Sequence, residues 1–439
     1  MPTTSLLGSM LLVSASPTLV SANWCTCMLH AARADACSTR HGQPAWLREH
    51  TGKQGELHFR LQDWAWGNTM MALRDALLVA LILDRRPVLR FTPETTPLNG
   101  ANLSSALELH NLDTIVEPLT ERYRVGTPGN PAAVLITVDH LRRIVHHPSA
   151  THGKVVYTRL LPSFATVQQQ QELARLAREM RGRAAWADLL LDPVPDCWPS
   201  AFIRPAARVR AHVLPLVESS AAAVHLRLCT LVGWKDTCKG TKQPHAAARD
   251  VIGCAVGVAA KRWKKRRLGR ASSAAVNTTA PMRLFVASDS SIVLDALQRD
   301  ANAGNLSLHR AAAPSAVASL PPRGLQFAAM SGLGRATHLS KSYLRPAHEV
   351  DAQTSFDRAV FDWATFAYSR RVVGVPSSFS ASAVCMWQPR DVDPYVVLRM
   401  PPDGSPIDCD RPFASSRGAR GAHPCRDVQR VNWGGQTNG

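Results

Sequence analysis

The strongest constraint on the fold is an alternation of short apolar runs with helix-forming segments, which occurs in both halves of the chain. In the first half, ELHFRL at 56–61 and PVLRF at 87–91 flank ALRDALLVALILD at 72–84. The flanking runs have strand character, whereas the middle segment consists of strong helix formers and is apolar around most of its circumference. A strand, a buried helix and a second strand predict a right-handed βαβ unit.

The second half repeats this alternation in a longer series. Its segments are a strand at 221–228, a helix at about 245–261, a strand at 282–290 followed by a helix, a helix at 353–368, a strand at 370–375 and a helix that opens at 377–380. Ser290 is positioned to cap the helix after the strand at 282–290. The chain therefore predicts an α/β protein with two Rossmann-like domains that face each other across a cleft.

Composition suggests where these domains begin and end. Residues 1–22 have a moderately apolar core that ends in small residues, as in a secretory signal cleaved near Ala22, and an ordinary disordered terminus is the alternative. Pro193, Pro195 and Pro199 mark the joint between the halves. The predicted division is a signal peptide at 1–22, a stem or disordered lead-in at 23–55, an N-terminal Rossmann-like domain at 56–200, a C-terminal one at 201–399 and an irregular tail at 400–439.

Charge favours anionic partners, because 51 basic and 33 acidic residues give a formal net charge of +18. Part of the excess is local: KRWKKRR at 261–267, with Arg270, has no acid within it. A solvated insertion loop is the first interpretation, and a nuclear-localisation signal or nucleic-acid patch is the second. Since no zinc-finger, helix-turn-helix or RNA-binding motif accompanies the run, we expect no nucleic-acid partner.

Cysteines and sequons indicate the secretory pathway. The ten cysteines show no paired CxxC spacing, so no metal is expected, and their even number permits disulfides whose pairing the sequence leaves open. Asn102, Asn277 and Asn305 each begin an N-x-[ST] sequon, which fits the lumen of the endoplasmic reticulum or Golgi, or secretion. No later apolar run approaches the roughly 20 residues of a membrane span.

Polar residues follow three predicted strands of the second half. His225 and Arg227 stand at i, i+2 on one face of the first strand, and serines occur at 288–290 and 377–380 after the others. The carboxyl ends of parallel strands lie along one edge of a sheet. There an Arg can grip a diphosphate, serine hydroxyls and backbone N–H groups can bind phosphate oxygens, and Asp289 can accept a bond from a ribose or base. Each feature alone also fits an ordinary structural role, but together they predict a nucleotide-diphosphate pocket.

A second candidate position lies in the first half, before its buried helix. Gly67 and Asn68 occupy the predicted turn. Backbone N–H groups there, together with the helix dipole, favour an anion or a polar substrate group. The alternative is that Asn68 only caps the helix.

The order of these motifs resembles that of the fucosyltransferase superfamily, which includes the protein O-fucosyltransferases and the α1,6-fucosyltransferases. The resemblance spans about 60–390 and rests on four stretches: WGNTMMALRDALLVALILDRRPVL at 66–89, HLR at 225–227, LFVASDS at 284–290 and FDWATFAYSRRVVGVPSSFSASA at 361–383. It implies a two-domain GT-B fold, GDP-fucose as donor substrate and no metal or other cofactor. The family pattern has another Arg or an Asp where this chain has Leu228 or Thr230.

The resemblance also implies a reaction, namely inverting transfer of a sugar from a nucleotide diphosphate to a glycan or protein hydroxyl. Arg227 would neutralise the β-phosphate as the sugar–phosphate bond breaks, and Asn68 would orient the acceptor or donor. Asp63 and Asp75 are candidate bases. The implied donor-binding positions are Gly67, His225, Arg227, Asp289, Ser290, Ser377, Ser378 and Phe379. The alternative is a diverged, non-catalytic nucleotide- or sugar-binding protein on the same fold.

Overall fold

The computed structural model of the protein describes residues 27–28, 34–43, 47, 52–60, 66–91, 103–116, 134–135, 156–159, 198–228, 244–269, 281–304, 306, 324–328, 352–387, 395–399, 401, 405–412 and 414–415. In chain order the elements are α1 (Ala34–His41), β1 (Glu56–Arg60), α2 (Trp66–Ile82), β2 (Arg86–Phe91), α3 (Leu103–Ala106), β3 (Leu107–Leu109), β4 (Asp113–Val116), β5 (Val134–Leu135), β6 (Val156–Arg159), a short 3-10 helix (Trp198–Ala201), β7 (Ile203–Pro205), α4 (Ala207–Ser219), β8 (Ala222–Leu226), α5 (Pro244–Gly269), β9 (Met282–Ser288), α6 (Ser291–Asn302), β10 (Leu325–Ala328), α7 (Ala352–Tyr368), β11 (Val372–Gly374), α8 (Ser378–Trp387), β12 (Tyr395–Val397) and β13 (Ala414–Ser415).

The first sheet contains the predicted βαβ unit. Its strand order is β4-β2-β1-β6-β5, and every described neighbour pair is parallel. Helix α2 begins at Trp66, six residues earlier than the sequence indicated, and so includes Gly67 and Asn68. Asn68 therefore lies inside the first helical turn, and the interpretation of Asn68 as the helix N-cap is wrong.

The second sheet has the order β10-β9-β8-β11-β12-β13, and only β13 runs antiparallel to its neighbour. Numbered along the chain, its five parallel strands follow the doubly wound order 3-2-1-4-5. The order reverses between β8 and β11. In sheets of this kind the carboxyl ends of the two strands at the reversal flank a crevice.

A single apolar core connects the two sheets. Its members come from β1, from one face of the second sheet and from α2, α7 and α8, and they include Leu57, Phe59, Leu77, Ala223, Phe285, Phe356, Trp363, Phe366 and Val384. Burying each large side chain of this kind contributes about 2 kcal/mol. A second core fills the opposite face of the second sheet, where α5 and α6 pack. The α/β class is confirmed, with parallel sheets in both halves.

Part of the predicted lead-in belongs to the fold. Cys37 in α1 is fully buried in the first core and forms a disulfide with Cys27. The prediction that the ordered fold begins near Glu56 is therefore wrong for this segment. A helix of eight residues held by a disulfide has too little periodicity for the sequence pattern to show it.

Part of the predicted irregular tail is ordered as well. Ile407 is buried in the second core, Cys409 forms a disulfide with Cys254 of α5, and β13 pairs with β12. The prediction of a solvated insertion loop at 261–267 is also wrong, because α5 continues without interruption through Gly269. Lys and Arg are good helix formers, so a basic composition does not end a helix.

An antiparallel ribbon of β3 and β7 stands near the predicted joint between the halves. Glu108 on β3 accepts a hydrogen bond from Arg204 Nε on β7 at 2.5 Å and one from the Ala207 backbone N–H at 2.8 Å. Arg210 on α4 pairs with the same carboxylate at 3.3 Å. This ion cluster ties the ribbon to α4.

Several sequence predictions lie outside the described residues. These are the signal peptide, the asparagines of the three sequons and Asp63. In the described part of the chain, no helix has the length and apolar character needed to cross a membrane.

Candidate functional site

The candidate site lies at the carboxyl edge of the second sheet, where β8 stands between β9 and β11. The register pairs His225 with Gly374 of β11 and Leu226 with Ser288 of β9. Because all three strands are parallel, the residues that follow them emerge at the same edge. The structure thus brings together the three polar strand ends that the sequence singled out.

Arg227 follows β8 on the side that faces the first sheet. Leu226 and Leu228 are buried in the second core on the opposite face, so the alternation of the chain places Arg227 on the same side as His225. The Arg227 side chain is partly exposed. Burial lowers the pKa of its guanidinium, and the nearby charge of Asp289 offsets part of this effect.

Asp289 links the ends of β8 and β9. Its carboxylate Oδ1 accepts a hydrogen bond from the Leu228 backbone N–H at 2.8 Å, and its own N–H donates to the Leu226 carbonyl at 3.3 Å. Residues 285 and 287 of β9 belong to the core between the sheets, and Asp289 continues that alternation toward the same side. A carboxylate and a guanidinium therefore stand at adjacent strand ends.

Ser290 has the capping role that the sequence predicted. Its Oγ accepts a hydrogen bond from the Val293 N–H at 3.4 Å, which makes it the N-cap of α6. The Ser290 N–H donates in turn to Ser288 Oγ at 3.1 Å. These bonds define the turn that presents Asp289.

Serines organise the first turn of α8. Ser377 Oγ accepts a hydrogen bond from the Phe379 N–H at 3.2 Å, and the Ser377 carbonyl accepts one from the Ala381 N–H at 3.2 Å. Ser378 is the first helical residue and is buried. The N-terminal turn of this helix, with its positive dipole end, lies at the edge that carries Arg227.

His225 is packed against this turn. Its ring lies between Phe366 and Phe379, with both ring centroids 5.4 Å away, and its Nδ1 is 3.0 Å from Ser380 Oγ. Ser380 Oγ is also hydrogen-bonded to the hydroxyl of Tyr395 at 2.9 Å. His225 is therefore a buried residue that positions α8. Ser380 belongs to the serine run at 377–380 that the sequence singled out, whereas no sequence signal marked Phe366 or Tyr395 as partners of His225.

The first half reaches this site through Gly67. A Cβ atom placed on Gly67 would lie 2.4 Å from the Phe379 backbone nitrogen and 2.5 Å from the Ser378 carbonyl carbon. The N-terminal turns of α2 and α8 are thus in direct backbone contact. Asn68 occupies the same turn of α2, and Asp75 lies two turns further along that helix.

Chemically, this edge offers cationic and N–H groups together with one carboxylate, a combination suited to a phosphorylated ligand. Among the described residues, no group of His, Cys, Asp and Glu side chains is arranged to hold a metal ion.

No protein-family model matches the chain, and no curated protein matches it. Among solved structures, the chain is similar to the crystal structure of NodZ alpha-1,6-fucosyltransferase soaked with GDP-fucose. The sequence identity is 14%, the match covers 80% of this chain and 98% of that chain, and the TM-score is 0.32. A TM-score of this size does not by itself define a common fold.

Proposed function

We propose that the protein is a glycosyltransferase that binds a nucleotide diphosphate sugar at the carboxyl edge of the second sheet. The observation that carries the proposal is the reversal of strand order between β8 and β11, with Arg227 after one strand and the first turn of α8 after the other. Doubly wound sheets hold nucleotides at this position, with the pyrophosphate at a helix N-terminus.

Each group at the edge has a distinct role in the proposed reaction. Arg227 neutralises the charge that grows on the diphosphate as the sugar–phosphate bond breaks. Ser377 Oγ accepts the bond from Phe379, so its own hydroxyl hydrogen can donate to a phosphate oxygen, and the Ser378 N–H adds a second donor. Asp289 accepts a hydrogen bond from the ribose or the base. His225 acts through Ser380 by holding the turn in place.

The facing half supplies the acceptor side in this proposal, as in a two-domain GT-B arrangement. Gly67 permits the close approach of α2 to α8, and Asn68 in the same turn orients the acceptor or donor. We assign GDP-fucose as the donor, inversion at the anomeric carbon, and a glycan or protein hydroxyl as the acceptor. Arg227 and the N–H groups supply the positive charge, so no metal is assigned.

The proposed location is the lumen of the secretory pathway. Two disulfides join described cysteines, Cys27–Cys37 and Cys254–Cys409, and such bonds persist in oxidising compartments. Acceptors that enter this lumen are glycans and secreted or membrane proteins, which agrees with the proposed acceptor class.

The test is a panel of nucleotide sugars incubated with the full chain and scored for GDP binding by calorimetry and for sugar release. We expect Arg227→Ala to weaken GDP binding by tenfold or more, because a charge-assisted bond contributes about 1.5–3 kcal/mol. Arg299→Ala is the matched control, since Arg299 is exposed on α6. Equal GDP affinity in the wild type and Arg227→Ala contradicts the assignment.

A non-catalytic nucleotide- or sugar-binding protein is the second candidate. The observation that favours it is Leu228, whose side chain is buried in the second core and offers no polar group to a donor. GDP binding without turnover of any nucleotide sugar in the same panel would select this function.

A further inference from the structure

The final part of α5 is unusually basic, and the proposed function does not use it. Helix α5 is continuous over Pro244–Gly269, and six of the seven residues at 261–267 are Lys or Arg. We call residues 261–267 the basic helix end.

The topology of the second sheet sets the position of the basic helix end. Helix α5 connects β8 to β9, which are parallel neighbours. It therefore starts at the carboxyl edge of the sheet, the edge that carries Arg227, and finishes at the amino edge, where β9 begins. The basic helix end is at the edge opposite the candidate site, so its charges cannot serve the diphosphate.

The backbone of α5 is longer than the strand beside which it runs. Core residues of α5 occur from Ala248 to Ala260. The helix rises about 25 Å from residue 244 to residue 260, close to the roughly 23 Å length of the seven-residue strand β9. The last nine residues add about 13 Å more.

The charge at this position exceeds what helix stability explains. Cations in the last turn of a helix are favourable because of the dipole, but the effect is confined to about one turn. The basic helix end spans nearly two turns, and successive residues are rotated by about 100°, so Lys and Arg positions occur all around the helix axis. The sequence contains no Asp or Glu from 251 to 288 to neutralise them.

We propose that the basic helix end binds a sulfated polysaccharide. A dense helical array of Lys and Arg complements a chain of repeated sulfate groups, and Lys/Arg-rich runs of this length are known heparin-type patches. The two disulfides indicate an oxidising compartment, where sulfated glycans rather than nucleic acids are the abundant polyanions. The polysaccharide would tether the protein while the candidate site at the other edge stays open.

The experiment measures heparin binding to the full chain by biolayer interferometry over a series of NaCl concentrations. The test variant carries Gln in place of the six cations Lys261, Arg262, Lys264, Lys265, Arg266 and Arg267. The control variant removes the same charge from six exposed, scattered residues: Arg40, Lys53, Arg283, Arg299, Arg370 and Arg399. Gln is a good helix former, so α5 should persist.

We expect the test variant to lose about tenfold or more in heparin affinity and to show a shallower dependence on salt, because fewer counterions are released. The control variant should stay within about twofold of the wild type. Equal weakening in both variants would overturn the proposal, since it would trace binding to net charge alone. Tighter binding to duplex DNA or to phosphatidylserine vesicles than to heparin at the same salt would also overturn it.

Two measurements keep the result separate from folding and from the proposed function. Circular dichroism and thermal melting check the six-residue variant, and the double variant Lys264→Gln/Lys265→Gln, with a smaller expected loss, replaces it if the helix melts. GDP should bind the test variant as it binds the wild type. Lost heparin binding with intact GDP binding supports the proposal, and intact heparin binding in a folded variant refutes it whatever the outcome for GDP.

Discussion

Gly67 of α2 and Phe379 of α8 are in backbone contact, because a Cβ atom built on Gly67 would lie only 2.4 Å from the Phe379 nitrogen. The contact joins the first turns of two helices, one from each half of the chain. Neighbouring Trp66 packs edge-to-face against Phe356 and Trp363, with ring centroids 5.4 Å and 5.9 Å away. The packing of Trp66 against α7 and the absence of a side chain at position 67 together allow the first turns of α2 and α8 to meet.

Gly67→Ala should separate these turns. We expect a loss of about 3 kcal/mol in the free energy of unfolding, because backbone must move to admit the methyl group. Gly304→Ala is the control: its Cβ meets no described atom within 4 Å, and its positive φ alone costs about 1 kcal/mol. Urea denaturation of both variants measures the difference, and a smaller loss at position 67 than at position 304 would contradict the contact.

Ser380→Ala tests the support of His225. The substitution removes the hydroxyl that bonds to both His225 and Tyr395, and the buried groups left behind cost about 2 kcal/mol. We also expect weaker GDP binding, because the first turn of α8 loses its anchor. Thermal melting and calorimetry give the two readouts, and Ser104→Ala, at an exposed serine of α3, is the control. Unchanged stability would show that these hydrogen bonds contribute nothing.

Glu108→Gln should change the pH dependence of stability. Burial raises the pKa of Glu108, but the charges of Arg204 and Arg210 outweigh it, so the pKa is lowered from its ordinary value of 4.5. The ion cluster therefore stabilises the fold fully above pH 4.5, and the effect is lost as the pH falls through the lowered value.

We expect the Gln variant to be less stable than the wild type by about 2 kcal/mol at about pH 7, and the gap to narrow at about pH 3. Urea midpoints at the two pH values provide the measurement, with Asp295→Asn, at an exposed position of α6, as the control. A gap of equal size at both pH values would rule out the ion cluster as its source.

The two disulfides should differ in their contribution to stability. The loop-closure model gives roughly 5 kcal/mol for Cys254–Cys409, with a sequence separation of 155, and roughly 3 kcal/mol for Cys27–Cys37, with a separation of 10. Paired Cys→Ser variants avoid leaving a single thiol. Urea denaturation should show the larger loss for the 254/409 pair, and the reverse order would argue against an effect on the unfolded chain.

The elements that the sequence predicted have strong local signals. The apolar pattern and helix formers indicated β1, α2 and β2, and the cap at Ser290 marked the start of α6. The ribbon of β3 and β7 lacks such a signal, because Leu107 pairs with Pro205 across almost a hundred residues. Long-range pairing of short strands is decided by tertiary contacts that no local window contains.

The candidate site was predictable in the same partial way. Polar residues after apolar runs located Arg227, Asp289 and Ser377, because parallel strands end at one edge. The sequence could not separate the buried position of His225 from the partly exposed position of Arg227, since both residues lie on the same face of the strand. The sequence also placed Gly67 in a turn before the helix, because glycine is a poor helix former. The sequence does not show that another helix packs against this position and requires a glycine there.

The apolar core shared by the two sheets limits how this protein can move. Swinging one half away from the other would expose Phe356, Trp363 and Phe366 to water, at a cost of about 2 kcal/mol for each side chain. A wide hinge opening between the halves is therefore unfavourable, and the carboxyl edge of the second sheet keeps its position next to the first turn of α2. A ligand of the candidate site would therefore meet the first turns of α2 and α8 at a spacing that the apolar core has already set.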